Sequence, residues 1–222
     1  MSNDDDANAD GTETLACSCC GGAETDGGRE SGTGRWLDEA SPLEAELPTE
    51  LQVPLGRVLG EPPVETLGAW LAAVRQRTGD GPIDAEHLCH ADEETDHVGR
   101  LDGETYHFQC FYDAVALSAL VDEPVDVRTK SPDGSVVEAR AVGTDELRVT
   151  PEGATFSFGI AADVTPPADD EPFPADVYGA VCPYVRAFPD RDAYERWAET
   201  VPAATVGLPL AGATEVAAAL AE

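Results

Sequence analysis

Cys110 and Asp113 stand three positions apart at the start of the most apolar stretch of the sequence, Phe111-Tyr112-Asp113-Ala114-Val115-Ala116-Leu117-Ser118-Ala119-Leu120. If Cys110 opens a helix there, the i,i+3 spacing sets the Asp113 carboxyl beside the Cys110 sulfur. A thiol at a helix N-terminus has its thiolate favoured by the backbone dipole, so the pair reads as a nucleophile with an acid. The same spacing also suits a cysteine that only packs and an aspartate that only caps a backbone amide. Cys182, in Val181-Cys182-Pro183-Tyr184-Val185, reads as a core thiol when taken alone. Beside Cys110 and Asp113 it becomes the second thiolate of a pocket suited to soft-metal chemistry.

Two further groups carry metal-binding residue types. Cys17, Cys19 and Cys20 place three thiols within four residues, enough to close around a soft metal ion, although a closed zinc site takes four ligands and no histidine is near. His87, Cys89 and His90, with His97, suggest a second site. Residues two apart do not project together from a helix, so this group reads as a surface segment. Tyr106, Phe111 and Tyr112 are expected to line the core or the pocket, and Gly21-Gly22 and Gly27-Gly28 read as linker glycines.

The elements that must position these residues follow from periodicity. Leu51 to Leu59 predicts one short helix, and Val64, Leu67, Trp70, Leu71 and Val74 a second; a third begins after Asp84. Asp96 to Cys110 predicts a strand pair turning at Asp102-Gly103. Val125–Lys130 and Val136–Val142 predict a hairpin, and Leu147–Thr150 with Thr155–Ile160 predict another around Pro151-Glu152-Gly153. A proline-rich acidic loop covers Thr165 to Asp176, Val181 to Phe188 is expected to return to the sheet, and Asp190 should cap a helix through Trp197. A strand near Thr205 to Leu208 and an Ala-rich helix close an α+β fold. The expected division is a disordered acidic tail over residues 1–45, a short helical, winged-helix-like part over 46–109, and a catalytic α+β part over 110–222.

Composition narrows the partners. Among 222 residues, 44 Asp and Glu face 13 Lys and Arg, for a formal net charge of −31. A surface this negative repels phosphate backbones and anionic headgroups, so neither nucleic acid nor a membrane is an expected partner. Lys130 is the single lysine, and the acidic excess runs along the whole chain, as suits a protein kept hydrated in molar salt. The first residues carry neither a basic region nor an apolar stretch of a secretory signal, which places the protein in the cytoplasm, where thiols stay reduced.

Taken together, the Cys110-x-x-Asp113 element between a hairpin and an apolar helix, the β-hairpins, and the Cys182-x-x-Val185 segment before an acidic, Trp-bearing helix resemble the organomercurial (alkylmercury) lyases. The resemblance covers about residues 50 to 220. It implies a winged-helix-like N-terminal part packed on a mixed β-sheet part, and a catalytic set of Cys110, Cys182 and Asp113. The family often carries a Trp before its first catalytic cysteine and a further Cys after the second; here Gln109 and Pro183 stand there. The implied reaction is protonolysis of R–Hg⁺ to R–H and Hg(II). It needs no organic cofactor, uses free thiols for turnover, and hands Hg(II) to a mercuric reductase or small thiols. Cys17, Cys19 and Cys20 would assist in handling mercury. Two other readings stay open: a non-catalytic carrier or sensor of mercury, copper or zinc on the same fold, and a winged-helix regulator, for which no basic recognition helix is found.

Overall fold

Leu51, Leu55, Val58 and Leu59 recur at helical spacing and form the buried side of α1 (Thr49–Leu59), which ends at Gly60 in the left-handed conformation. The computed structural model describes residues 35–37, 41–77, 83–121, 123–143, 146–165 and 174–221, all within one compact unit, Gly32–Glu222. Cys17, Cys19 and Cys20 lie outside the described residues. Helix α2 (Leu67–Arg77) starts later than the apolar pattern suggested. Val64 lies outside the helix and donates its N–H to the Gln52 carbonyl, while the Thr66 hydroxyl accepts the Ala69 N–H at 3.1 Å and so marks the true helix start. Asp84 caps a single 3-10 turn, Ala85–His87.

The predicted turn at Asp102-Gly103 joins β1 (His97–Leu101) to β2 (Glu104–His107), with both turn residues at positive φ as a two-residue hairpin demands. That hairpin does not stand apart. Strand β1 also pairs with β3 (Pro124–Lys130), and β4 (Val136–Val142) and β5 (Glu146–Thr150) complete an antiparallel sheet in the order β2-β1-β3-β4-β5. Alternation decides its two faces: Val125, Val127 and Thr129 with Val137, Ala139 and Ala141 point inward, while Asp126 pairs with Arg140 and Arg128 with Glu138 on the other side. Helix α3 (Phe111–Val121) lies against β1, β3 and β4 and against α6 (Ala213–Ala221). It is buried nearly all round, as its sequence predicts.

A second antiparallel sheet holds β6 (Thr155–Ala161) between β7 (Ala187–Phe188) and β8 (Ala203–Pro209). This corrects the hairpin expected between Leu147–Thr150 and Thr155–Ile160, whose strands fall in different sheets. Every residue from Thr155 to Ile160 is buried, so β6 needs a neighbour on each edge and cover on each face, whereas β5 alternates half-buried with exposed positions as an edge strand does. The strand expected over Val181 to Phe188 is also replaced. Helix α4 (Pro174–Val181), which starts within the loop foreseen over Thr165 to Asp176, runs into a 3-10 turn, Cys182–Tyr184. Pro183 has no N–H to give to a sheet ladder, and only Ala187 and Phe188 pair with β6. Helix α5 (Arg191–Ala198) begins as foreseen, with the Ala193 N–H donated to Asp190 at 2.7 Å.

Residues 35–37 and 41–45, read from sequence as tail, are built into the body. Trp36 bridges to Gly207 of β8 and lies under the Arg191 guanidinium at 4.5 Å. Leu37 is buried, and the Leu43 carbonyl accepts the Gly68 N–H at 2.9 Å. A Cβ at Gly207 would meet Tyr194 at 2.5 Å and Trp36 at 2.8 Å, so only glycine lets both rings close on the strand. The apolar area of Trp36 outweighs the polar composition around it. The described residues thus make an α+β fold of two antiparallel sheets with α3 and α6 between helices and strands, and none of their helices is long and apolar enough to cross a membrane.

Candidate active site

Cys110 immediately precedes the first residue of α3, and Asp113 falls in its first turn. The Cys110 thiol donates to Asp113 Oδ2 at 3.3 Å, the contact that the spacing predicts. Cys110 is 3% exposed and Asp113 9%, so both groups sit beneath the surface. Burial raises the Asp113 carboxyl to about 6, against the hydrogen bond from Cys110 and the Cys89 backbone N–H, which favour its charged form. A carboxyl poised there holds or yields a proton near neutral pH.

Cys182 reaches the same place from the other half of the fold. It opens the 3-10 turn after α4, and that turn is fixed from behind by Arg186, which donates from Nε to the Pro183 carbonyl at 2.9 Å and from Nη1 to His97 Nε2 at 2.6 Å. His97 in turn hydrogen-bonds Thr129 on β3 at 2.6 Å. Burial and the Arg186 charge lower the His97 ring to about 4, which keeps it neutral and able to accept from the guanidinium. The Cys182-bearing turn is therefore tied to the five-stranded sheet. His97 serves this tie and not a metal site.

The thiols are hydrogen-bonded to one another through Cys182. Cys182 favours the Cys110 thiolate, but burial and the nearby Asp113 carboxylate together leave the Cys110 thiol above its ordinary range. Hydrogen bonding to Cys110 and then to Cys89, with burial, holds Cys182 well above its own. The cluster thus keeps its protons until a thiophilic cation displaces them from sulfur. Cys89, Cys110 and Cys182 are all free thiols.

Around the cluster lies an apolar cavity of about 100 Å³. Cys110, Asp113 and Cys182 face it, with Leu71 and Trp70 of α2, Phe156 and Phe158 of β6 and Val216 of α6 among its walls. Tyr112, foreseen as a lining residue, is one, stacked on Phe156 at 20°, and its buried hydroxyl has no hydrogen-bond partner among the described residues. Tyr178 on α4 also faces the cavity, and burial and the cluster's charges push its phenol well up, so it stays an O–H donor.

Sequence reasoning missed Cys89 as well as Tyr178. The Cys89 and Cys182 sulfurs and an Asp113 oxygen all lie within 4.8 Å of one another. The surface reading holds for its neighbours: His87 folds back on Asp84 and the exposed His90 bonds the Ala85 carbonyl. Cys89 turns inward beside the buried Leu88, and His97, read with this group as part of a surface segment, is buried too. What places Cys89 is a rung of pairing too short to show in the sequence as a strand, in which the Ala91 N–H bonds the His107 carbonyl and the Gln109 N–H the Cys89 carbonyl.

Comparison with known proteins gives one family. The family model described as alkylmercury lyase matches residues 91–222. Among solved structures, a crystal structure of the mercury-bound form of MerB2 is similar at 20% identity and a TM-score of 0.45, over 60% of this chain. The match spans 60% of that chain. No curated protein matches the sequence.

Proposed function

The chain belongs to the alkylmercury lyase family, and on that premise we propose that it cleaves the carbon–mercury bond of R–Hg⁺ by protonolysis, releasing R–H and Hg(II). The observation that carries this is the Cys110 thiol on Asp113 Oδ2 at 3.3 Å, facing an apolar cavity that Cys182 also lines. A chelator needs sulfur alone; a buried carboxyl in contact with one of the sulfurs, and held near neutral pH, is what bond cleavage adds.

The steps balance on these groups. The Asp113 carboxylate takes the Cys110 proton as the Cys110 sulfur bonds the mercury of R–Hg⁺. Cys182 gives its proton to solvent and adds a second thiolate, whose electron density weakens the carbon–mercury bond. Asp113 then returns its proton to the leaving carbon: R–H departs, Hg(II) stays on two thiolates, and the carboxylate is restored. The cavity holds R away from water, and the Tyr112 and Tyr178 phenols remain neutral beside it.

In this reading no organic cofactor takes part, and outside thiols or a mercuric reductase remove Hg(II). Such a thiol cluster suits the cytoplasm, where cysteines stay reduced. Cys17, Cys19 and Cys20 would relay mercury to or from the site. The test is incubation of the purified protein with an alkyl- or arylmercury compound and excess thiol, followed by detection of the hydrocarbon. Binding of R–Hg⁺ with no hydrocarbon would favour the carrier reading, in which the same sulfurs hold metal and Asp113 only caps.

A further inference from the structure

Cys89 has no part in the reaction just written, yet its sulfur is aimed at the same point. It lies with Cys182 Sγ and an Asp113 oxygen inside 4.8 Å. Its backbone is clamped there: the carbonyl accepts the Gln109 N–H at 2.9 Å, one residue before Cys110, and its own N–H reaches the Asp113 carboxylate. Cys89 is absent from the walls of the apolar cavity, which Cys110, Asp113 and Cys182 all share. It is also partly exposed, where Cys110 is buried. Of the three sulfurs, Cys89 is the one that meets the cluster without intruding on the space the organic group would fill.

We propose that Cys89 is the third sulfur ligand of the Hg(II) ion, so that the product rests on Cys89, Cys110 and Cys182 together. The source of the ion rests on the lyase reading above; the three-sulfur site itself rests on Cys182 standing in hydrogen-bond reach of both Cys110 and Cys89, with the Cys89 and Cys182 sulfurs inside 4.8 Å. While R is attached, it occupies one position on mercury, and two sulfurs hold the rest. Departure of R–H vacates that position. The Cys89 thiol then enters it, Hg(S-Cys)₂ plus Cys89–SH giving the anionic Hg(S-Cys)₃ and one proton, which the adjacent Asp113 carboxylate accepts after giving its own to carbon. Mercury stays Hg(II), and no oxidant or reductant is needed. Soft thiolates are the ligands Hg(II) prefers, so the exchange holds the ion until an outside thiol arrives. Being partly exposed, Cys89 and Cys182 are the sulfurs such a thiol can reach, whereas Cys110 is buried.

The experiment uses the full-length chain carrying Cys17→Ser, Cys19→Ser and Cys20→Ser, so that those thiols do not compete, loaded with one equivalent of mercuric chloride. X-ray absorption at the mercury edge should count three sulfurs per mercury, and two after adding Cys89→Ser. Loss of mercury to free cysteine should be at least tenfold faster in that variant. Two sulfurs in the Cys89-containing protein would overturn the proposal without recourse to any variant of Cys89, and three sulfurs persisting in Cys89→Ser would overturn it as well. Hydrocarbon release from methylmercury is measured separately. Three sulfurs without hydrocarbon would sink the lyase reading and keep the site, whereas hydrocarbon with two sulfurs would do the reverse.

Discussion

Asp113 is the residue on which cleavage and mere capture part company. Asp113→Asn keeps the shape of the side chain and both thiols but removes the transferable proton, and general acid catalysis contributes about 10² to 10⁴ in rate. Single-turnover hydrocarbon release should therefore fall by about a hundredfold or more while R–Hg⁺ still binds; wild-type release would mean that water or another acid protonates the carbon. Cys110→Ser and Cys182→Ser should each abolish turnover, read as the same hydrocarbon yield, because one thiolate binds R–Hg⁺ but does not activate it. The Cys110 and Asp113 pairing was legible because both lie within one turn of a single helix, where spacing fixes distance. Cys89 was not, because its place depends on residues 89–91 pairing with residues 107–109, a contact that no local pattern records.

The elements holding these residues are joined by a tie that senses pH. His97 on β1 accepts from Arg186 behind the Cys182 turn only while neutral, and its ring titrates near 4 in the fold against 6.5 when free. Asp96 and Arg186 are the charges that act on it, and Thr129 its other partner. Since the unfolded chain takes up the proton first, stability from this ring is complete above about pH 6.5 and is lost as pH falls toward 4, by about 3 kcal/mol in all. Asp113, raised from 3.8 to about 6 by burial, shifts the other way and offsets this loss over the same window, so the His97 share is read as the difference between the wild type and His97→Gln in denaturant titrations from about pH 7 to about pH 4. Helix α2 sets the size of the cavity through Leu71. At about 100 Å³, the space is smaller than the ~150 Å³ that admits benzene in an engineered apolar core, so short alkyl groups should be preferred over phenyl. Leu71→Ala should raise the phenylmercury to methylmercury ratio of kcat/KM, at a cost to stability of about 2 to 5 kcal/mol. Turn chemistry and alternation made most strands legible, as at Asp102-Gly103 and β3–β4. They did not reveal that β5 and β6 part into different sheets, because a short apolar run looks alike beside a hairpin partner or in the middle of a sheet.

Across the whole molecule, the net charge of −31 opposes compaction at low ionic strength. Molar salt shortens the screening length to about 3 Å, so the melting temperature should rise from dilute buffer to molar KCl. A temperature independent of salt would remove the case for a protein adapted to brine. The α+β class was legible in the order of patterns, while the seating of Trp36 on β8 was hidden by the acidic residues around it. One consequence of the site belongs to this scale. Cys110 leads into α3 and Cys182 follows α4, so mercury bound between them is a cross-link, closing a loop of roughly 70 residues in the unfolded as in the folded chain. A disulfide of that span restricts the unfolded ensemble by about 4 kcal/mol. In the proposed lyase reading the metal would be a removable staple: the ion surrendered at each turnover would also be the one that makes the chain hardest to unfold.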